Sequence, residues 1–126
     1  MARKLAAGNW KMNGVEADLA EVDALADVVA GATCEVLLCP PATLVAKMAA
    51  RAGLTDLFVG GQTCHSAASG AHTGDISAAM LADAGATHVI VGHSERREAH
   101  EETSEQVRAK ARTAQRAGLL TVVCVG

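Results

Sequence analysis

The sequence predicts an α/β fold of parallel βα repeats, about five strands and four helices, forming one domain over residues 1–126. Three observations point there. A short pattern recurs four times, at Ala30-Gly31-Ala32-Thr33, Ala52-Gly53-Leu54-Thr55, Ala84-Gly85-Ala86-Thr87 and Ala117-Gly118-Leu119-Leu120-Thr121: helix-like sequence leads into a glycine and an apolar run follows. Glycine adopts a left-handed backbone at a helix end with little steric cost, so each repeat reads as a helix stop before a strand. The runs that follow are continuous rather than alternating, as parallel strands covered on both faces should be. Finally, strand-helix alternation with connections of this length implies right-handed crossovers and a parallel sheet.

Taken in order, the first strand is the least regular, at Arg3 to Gly8. A helix follows from Val15, with Leu19, Val22, Leu25 and Val29 on one face and Glu16, Asp18, Glu21, Asp23 and Asp27 on the others. That is a one-sided stripe, with Asn13 and Glu16 spaced as a capping pair. The second strand is Glu35 to Cys39, and after Pro40-Pro41 a second helix covers about Thr43 to Ala52. Leu57 to Gly60 is the third strand, and a third helix covers about Ser77 to Ala84. His88 to Gly92 is the fourth strand. The last helix, about Glu101 to Ala117, is polar, with acids ahead of Arg108, Lys110, Arg112 and Arg116; this order complements a helix dipole and reads as a solvated face. Thr121 to Val125 closes the series.

Composition narrows the function classes. With 11 basic residues against 14 acidic ones, the chain has no cationic surplus to neutralise phosphates, so neither a nucleic acid nor an anionic membrane is an expected partner. No run approaches the ~20 apolar residues of a membrane span, and the N-terminal apolar stretch is too short for a signal peptide. Half the residues are apolar, which excludes disorder, yet many are alanine and only Trp10 and Phe58 are aromatic. Small side chains bury little area, at roughly 25 cal/mol per Å², so one copy should be marginally stable under an Ala-rich helical shell. Cys34, Cys39, Cys64 and Cys124 form no CxxC pair and read as reduced, mostly buried thiols of a cytoplasmic protein. Cys64, His65 and His72 cluster in a long segment, but their spacing fits no standard zinc pattern, so no metal site is expected. The first strand lacks a G-x-G-x-x-G turn and there is no P-loop lysine, which removes the usual dinucleotide and nucleotide signatures.

In parallel α/β proteins, ligand groups collect where strands end. Two ends carry functional-looking groups: Asn9 with Lys11 after the first strand, and His93 with Ser94 and Glu95 after the fourth. Taken separately, Lys11 could be an exposed loop lysine and His93 a helix N-cap. Placed on one rim, they form a constellation. The lysine offers a fixed positive charge to an anionic substrate. A histidine just ahead of a helix N-terminus is biased towards its neutral form, which can donate a hydrogen bond to an oxygen gaining negative charge.

The segments Gly8-Asn9-Trp10-Lys11-Met12-Asn13, Gly70-Ala71-His72-Thr73-Gly74-Asp75-Ile76-Ser77 and Val91-Gly92-His93-Ser94-Glu95-Arg96-Arg97 resemble, in that order and spacing, the motifs of the triosephosphate isomerase family. The resemblance covers the whole chain but only the N-terminal half of the family's length. It implies half of a TIM (β/α)8 barrel in a single truncated domain, and interconversion of dihydroxyacetone phosphate and glyceraldehyde 3-phosphate through an enediolate. No metal or organic cofactor is implied. Lys11 resembles the lysine that attracts the substrate and steadies its negative charge, and Asn9 resembles its polar neighbour at the substrate oxygens. His93 matches the electrophile that polarises the carbonyl, its neutral imidazole being a known feature of the family. Ser94 resembles the residue that holds the catalytic base at rest, and Glu95 the partner of the lysine.

The same resemblance places Arg96 near a subunit interface, Thr73 near the tip of a loop reaching into a neighbouring subunit, and Cys124 close to the catalytic base; a homo-oligomer follows. Thr63 and His72 depart mildly from the family pattern, which commonly has Asn at the first and an aromatic residue at the second. The glutamate base, the closing loop and the phosphate-binding amides belong to the other half and have no counterpart here. The chain alone is therefore expected to be inactive. Its alternative use is as a half-barrel module that self-associates through exposed sheet edges and an apolar face.

Overall fold

The computed structural model describes residues 2–126. Five strands, β1 (Leu5–Asn9), β2 (Glu35–Cys39), β3 (Leu57–Gly61), β4 (His88–Val91) and β5 (Leu120–Val123), form one parallel sheet in chain order. The helices between them are α1 (Ala20–Ala30), α2 (Val45–Ala52), α3 (Ala78–Asp83), α4 (Ser94–Ala99) and α5 (Ser104–Arg116). Single 3-10 turns at Glu16–Leu19 and Ala42–Leu44 lead into the first two. The expected architecture stands, with one more α-helix than the four anticipated: the short α4 follows His93 directly.

Period-2 geometry sends alternate side chains to opposite faces of each strand, and the burial follows it. Leu38, Leu57, Val59, Val89 and Val91 pack towards the helices, against Leu19, Val22, Leu44, Met48, Leu81 and Val107. On the other face Leu37, Cys39 and Ile90 make a second buried cluster, flanked by Phe58, Val122 and Cys124. That face is concave. Leu37 and Cys39 on β2 meet Ile90 on β4 across the intervening β3, which carries Gly60 level with Cys39. A Cβ on Gly60 would sit 3.1 Å from the Cys39 sulfur and 2.8 Å from the His88 carbonyl, so the sheet can curl tightly only because this position has no side chain.

Several local expectations are corrected. Of the four glycines read as left-handed stops, Gly85 (φ +105°) and Gly118 (φ +87°) are left-handed, whereas Gly31 and Gly53 lie at φ −91° and −61°. At Gly53 the stop passes to Thr55, whose hydroxyl donates to the Ala52 carbonyl at 2.8 Å and accepts from the Leu57 amide at 3.1 Å. The 3-10 turn that leads into α1 is capped at its start by Asp18, whose carboxylate accepts the Val15 amide at 2.8 Å; Asn13 instead donates to the Trp10 carbonyl, and Glu16 pairs with Lys47 at 2.7 Å. Val15 is therefore left exposed rather than starting the apolar stripe. The last helix begins at Ser104, three residues later than expected, because Thr103 and Gln106 form a reciprocal capping box.

Candidate active site

Loops after β1, β3 and β4 enclose a hollow of about 310 Å³ lined by Asn9, Lys11, Gln62, Thr63, His93, Glu95 and Arg96 among others. In a flat sheet β1 and β4 would stand about 14 Å apart, three strand spacings. Curling shortens that chord: the Lys11 ammonium reaches Oε1 of Glu95 at 2.7 Å. Lys11 and His93 thus come from strands separated by two others, and still face one space.

Lys11 has a left-handed backbone, with φ 58°. For a residue with a Cβ this costs of order 1–2 kcal/mol and persists only where the surroundings hold it. Two contacts do so. The Asn9 side-chain oxygen accepts the Lys11 amide at 2.9 Å, and the Gln62 amide donates to the Lys11 carbonyl at 2.9 Å and to the Cys39 carbonyl at 3.0 Å. Gln62 fastens the lysine loop to the tip of β2. Sequence reading passed over it, although a polar residue directly after Gly60-Gly61 at a strand tip carries the same signal that singled out Asn9.

His93 serves as the N-cap of α4 and also lines the hollow. Its Nδ1 accepts the Glu95 amide at 3.1 Å. A backbone N–H can only donate, so the proton of the neutral ring rests on Nε2. Glu95 pairs with Lys11 through Oε1, while its Oε2 lies 3.7 Å from His93 Nδ1, near the ring but not hydrogen-bonded to it. The hydrogen bond from Lys11, outweighing the opposing effect of desolvation and reinforced by its charge and by His93, holds the Glu95 carboxyl below its ordinary value.

The remaining expected residues fall into two groups. Arg96 lines the hollow and donates to Glu102 at 3.1 Å. Ser94 opens α4, Thr73 sits exposed on the turn of the long loop beside Gly74 (φ +90°), and Cys124 follows β5 with its amide on the Val91 carbonyl; none of the three lines the hollow. Cys64 is buried with its sulfur towards the Lys110 carbonyl, while the His65 and His72 rings stack on each other with centroids 3.9 Å apart.

A buried ionic network behind the hollow corrects the reading of the α5 region as a plain solvated face. Glu102 has a side chain only 4% exposed and takes both Lys110 (2.8 Å) and Arg96 (3.1 Å) on Oε2, and Lys110 also donates to Thr63 at 3.2 Å. Burial pushes the Glu102 carboxyl up, but the hydrogen bonds and charges of Lys110 and Arg96 bring it below its ordinary value overall. Lys110 lies between Val107 and Ala114, both buried, at helical spacing, and this period was the signal available in the sequence.

The model of the family described as triosephosphate isomerase matches residues 4–126. The whole chain is 75% identical to 51% of a triosephosphate isomerase from Jannaschia sp. (strain CCS1), and 60% identical to 50% of one from Ruegeria sp. (strain TM1040). A crystal structure of triosephosphate isomerase from Bartonella henselae superposes with a TM-score of 0.95 at 48% identity, covering 99% of this chain and 52% of that one. The chain thus spans about half the length of the curated relatives it matches. With this curled five-stranded sheet, and with lysine and histidine at the tips of its first and fourth strands, it belongs to the triosephosphate isomerase family.

Proposed function

We propose that this chain supplies the cation and the electrophile of a centre that interconverts dihydroxyacetone phosphate and glyceraldehyde 3-phosphate without metal or organic cofactor. The observation that carries the reading is the convergence of Lys11, His93 and Glu95 on one hollow. Lys11 attracts the phosphorylated triose. Asn9, whose oxygen is occupied by the Lys11 amide, has its side-chain NH₂ to offer to the substrate oxygens. The His93 Nε2–H donates to the carbonyl oxygen as it gains charge, lowering the barrier to the enediolate. In the assembled centre Ser94 holds the resting base, Cys124 lies near it, and Thr73 and Arg96 serve a subunit contact between copies. The setting is cytoplasmic.

The chain alone does not turn over substrate. Glu95 is the only carboxylate lining the hollow among the described residues, and its bond to Lys11 makes it a poor base. Loss of general base catalysis costs typically 10²–10⁴-fold. The test is to assay residues 1–126 alone and co-expressed with the C-terminal half of the Jannaschia relative. The expected result is turnover only from the pair, abolished by His93→Gln. Turnover by the single chain, or a pair indifferent to His93→Gln, overturns the reading.

A second reading is favoured by the placement of exposed apolar side chains. Leu5 on β1, and Leu120, Val123 and Val125 on or just beyond β5, are exposed, and β1 and β5 are the two edges of the sheet among the described residues. Such edges invite pairing with a second copy. Light scattering over a dilution series tests this; a folded monomer at micromolar concentration removes it.

A further inference from the structure

We infer that Arg97 is a positioning residue for the His93 imidazole, acting by clamping the tips of β4 and β5 together. This deepens the isomerase reading, since it concerns the residue assigned there as electrophile. The guanidinium uses three donors at once. Nε donates to the Gly92 carbonyl at 2.7 Å, Nη2 to the Cys124 carbonyl at 2.8 Å and Nη1 to the Ser104 hydroxyl at 3.1 Å. The Gly92 carbonyl belongs to the same rigid peptide plane as the His93 amide, so the first bond sets the plane from which His93 departs. The second ties that plane to the end of β5, whose Cys124 amide returns a bond to the Val91 carbonyl at 3.0 Å.

The cleft that admits the guanidinium exists because residue 92 is glycine. Gly92 has φ +74°, and a Cβ on it would lie 2.7 Å from Arg97 Nη2 and 3.0 Å from the Cys124 oxygen. Position 92 thus accepts a left-handed backbone and an arginine lying against it, and both features bear on the peptide before His93. Among the described residues the His93 ring has one contact at hydrogen-bond distance, the Glu95 amide on Nδ1. That bond selects the tautomer that leaves Nε2 as donor, and it survives only while the 92–93 peptide keeps its orientation. The two carbonyls are met by two different nitrogens of one planar guanidinium, Nε and Nη2, a fixed fork that the single nitrogen of a lysine does not reproduce.

The test reads His93 directly and needs no turnover, so its failure is distinct from failure of the isomerase reading. The imidazole nitrogens of the ¹⁵N-labelled 126-residue chain are observed at about pH 8, where free histidine is neutral. In the unaltered chain His93 is expected to show one tautomer, with an unprotonated Nδ1. In Arg97→Gln the two nitrogens should move towards the averaged shifts of mixed tautomers, while His88, at the far end of β4, keeps its signals and reports an intact fold. Ser104→Ala, which removes only the third contact, should leave His93 unmoved. A single-tautomer His93 in Arg97→Gln overturns the inference. If Arg97→Gln loses the His88 signals, Arg97→Met, which removes every donor, decides in its place by the same criterion. Loss of the His88 signals in both variants assigns Arg97 to fold stability and likewise overturns it.

Discussion

The ammonium of Lys11 and the carboxylate of Glu95 meet at 2.7 Å, although their strands are separated by two others in the sheet. Each is about half exposed, so the pair contributes little to stability; its effect is to place charge. The pair favours the ionised Glu95 carboxylate and holds the lysine ammonium at the rim of the hollow that His93 also lines.

The sign of the Glu95 shift gives a pH prediction. Its carboxyl is lowered chiefly by the hydrogen bond from Lys11, so the ion pair is intact above the ordinary glutamate value and dissolves as pH falls through the lowered one. Titrating the Glu95 carboxyl carbon by NMR should show a midpoint below that of free glutamate. Lys11→Met should move the midpoint upwards, and an unchanged midpoint would show that the pair does not form in solution.

The Glu102 network should matter far more to stability. Lys110 is only 14% exposed and Glu102 4%, so Lys110→Met leaves a buried carboxylate with Arg96 alone. Breaking a buried pair from one side costs about 3–5 kcal/mol, readable by urea denaturation near neutral pH. The lowered Glu102 value means its stabilisation is present above the unfolded carboxylate range and fades as pH falls through the folded one. In Lys110→Met this acid-dependent loss should shrink, because burial of the Glu102 carboxyl is then opposed by Arg96 alone. A cost under about 1 kcal/mol would place the network in solvent.

Two glycine substitutions of the same kind should have opposite signs. Gly85 is left-handed at φ +105°, and a Cβ there would lie 2.7 Å from Ala49 Cβ, so Gly85→Ala should destabilise by about 1–3 kcal/mol. Gly53 has a helical φ of −61°, with nothing closer than 3.4 Å to the added methyl, so Gly53→Ala should stabilise by about 0.4–1 kcal/mol. Thermal denaturation of the two variants side by side checks both, and equal losses would refute the assignment.

Thiol chemistry should divide the cysteines in pairs. Cys39 and Cys64 are buried, and burial pushes the Cys39 thiol up to about 12, whereas Cys34 and Cys124 are half-buried. A disulfide-exchange reagent should label Cys34 and Cys124 first in the native chain and all four only in denaturant. Early labelling of Cys39 would mean that the concave face is open.

The order of strands and helices, their parallel pairing and the two polar strand tips were legible along the chain, because hydrophobic period and helix stops are local and leave marks within ten or twenty residues. Lys11 and His93 could be named for the same reason. Tertiary structure alone decided that strands separated by two others share one hollow, that Gln62 and Arg97 hold the peptides bearing Lys11 and His93, and that Glu102 faces inwards to Lys110. It also moved helix stops from Gly53 to Thr55 and the first cap from Asn13 to Asp18. These outcomes depend on the curl of the sheet and on which polar groups burial leaves needing partners. Both are sums over contacts between residues distant in the chain, and no short window of sequence contains them.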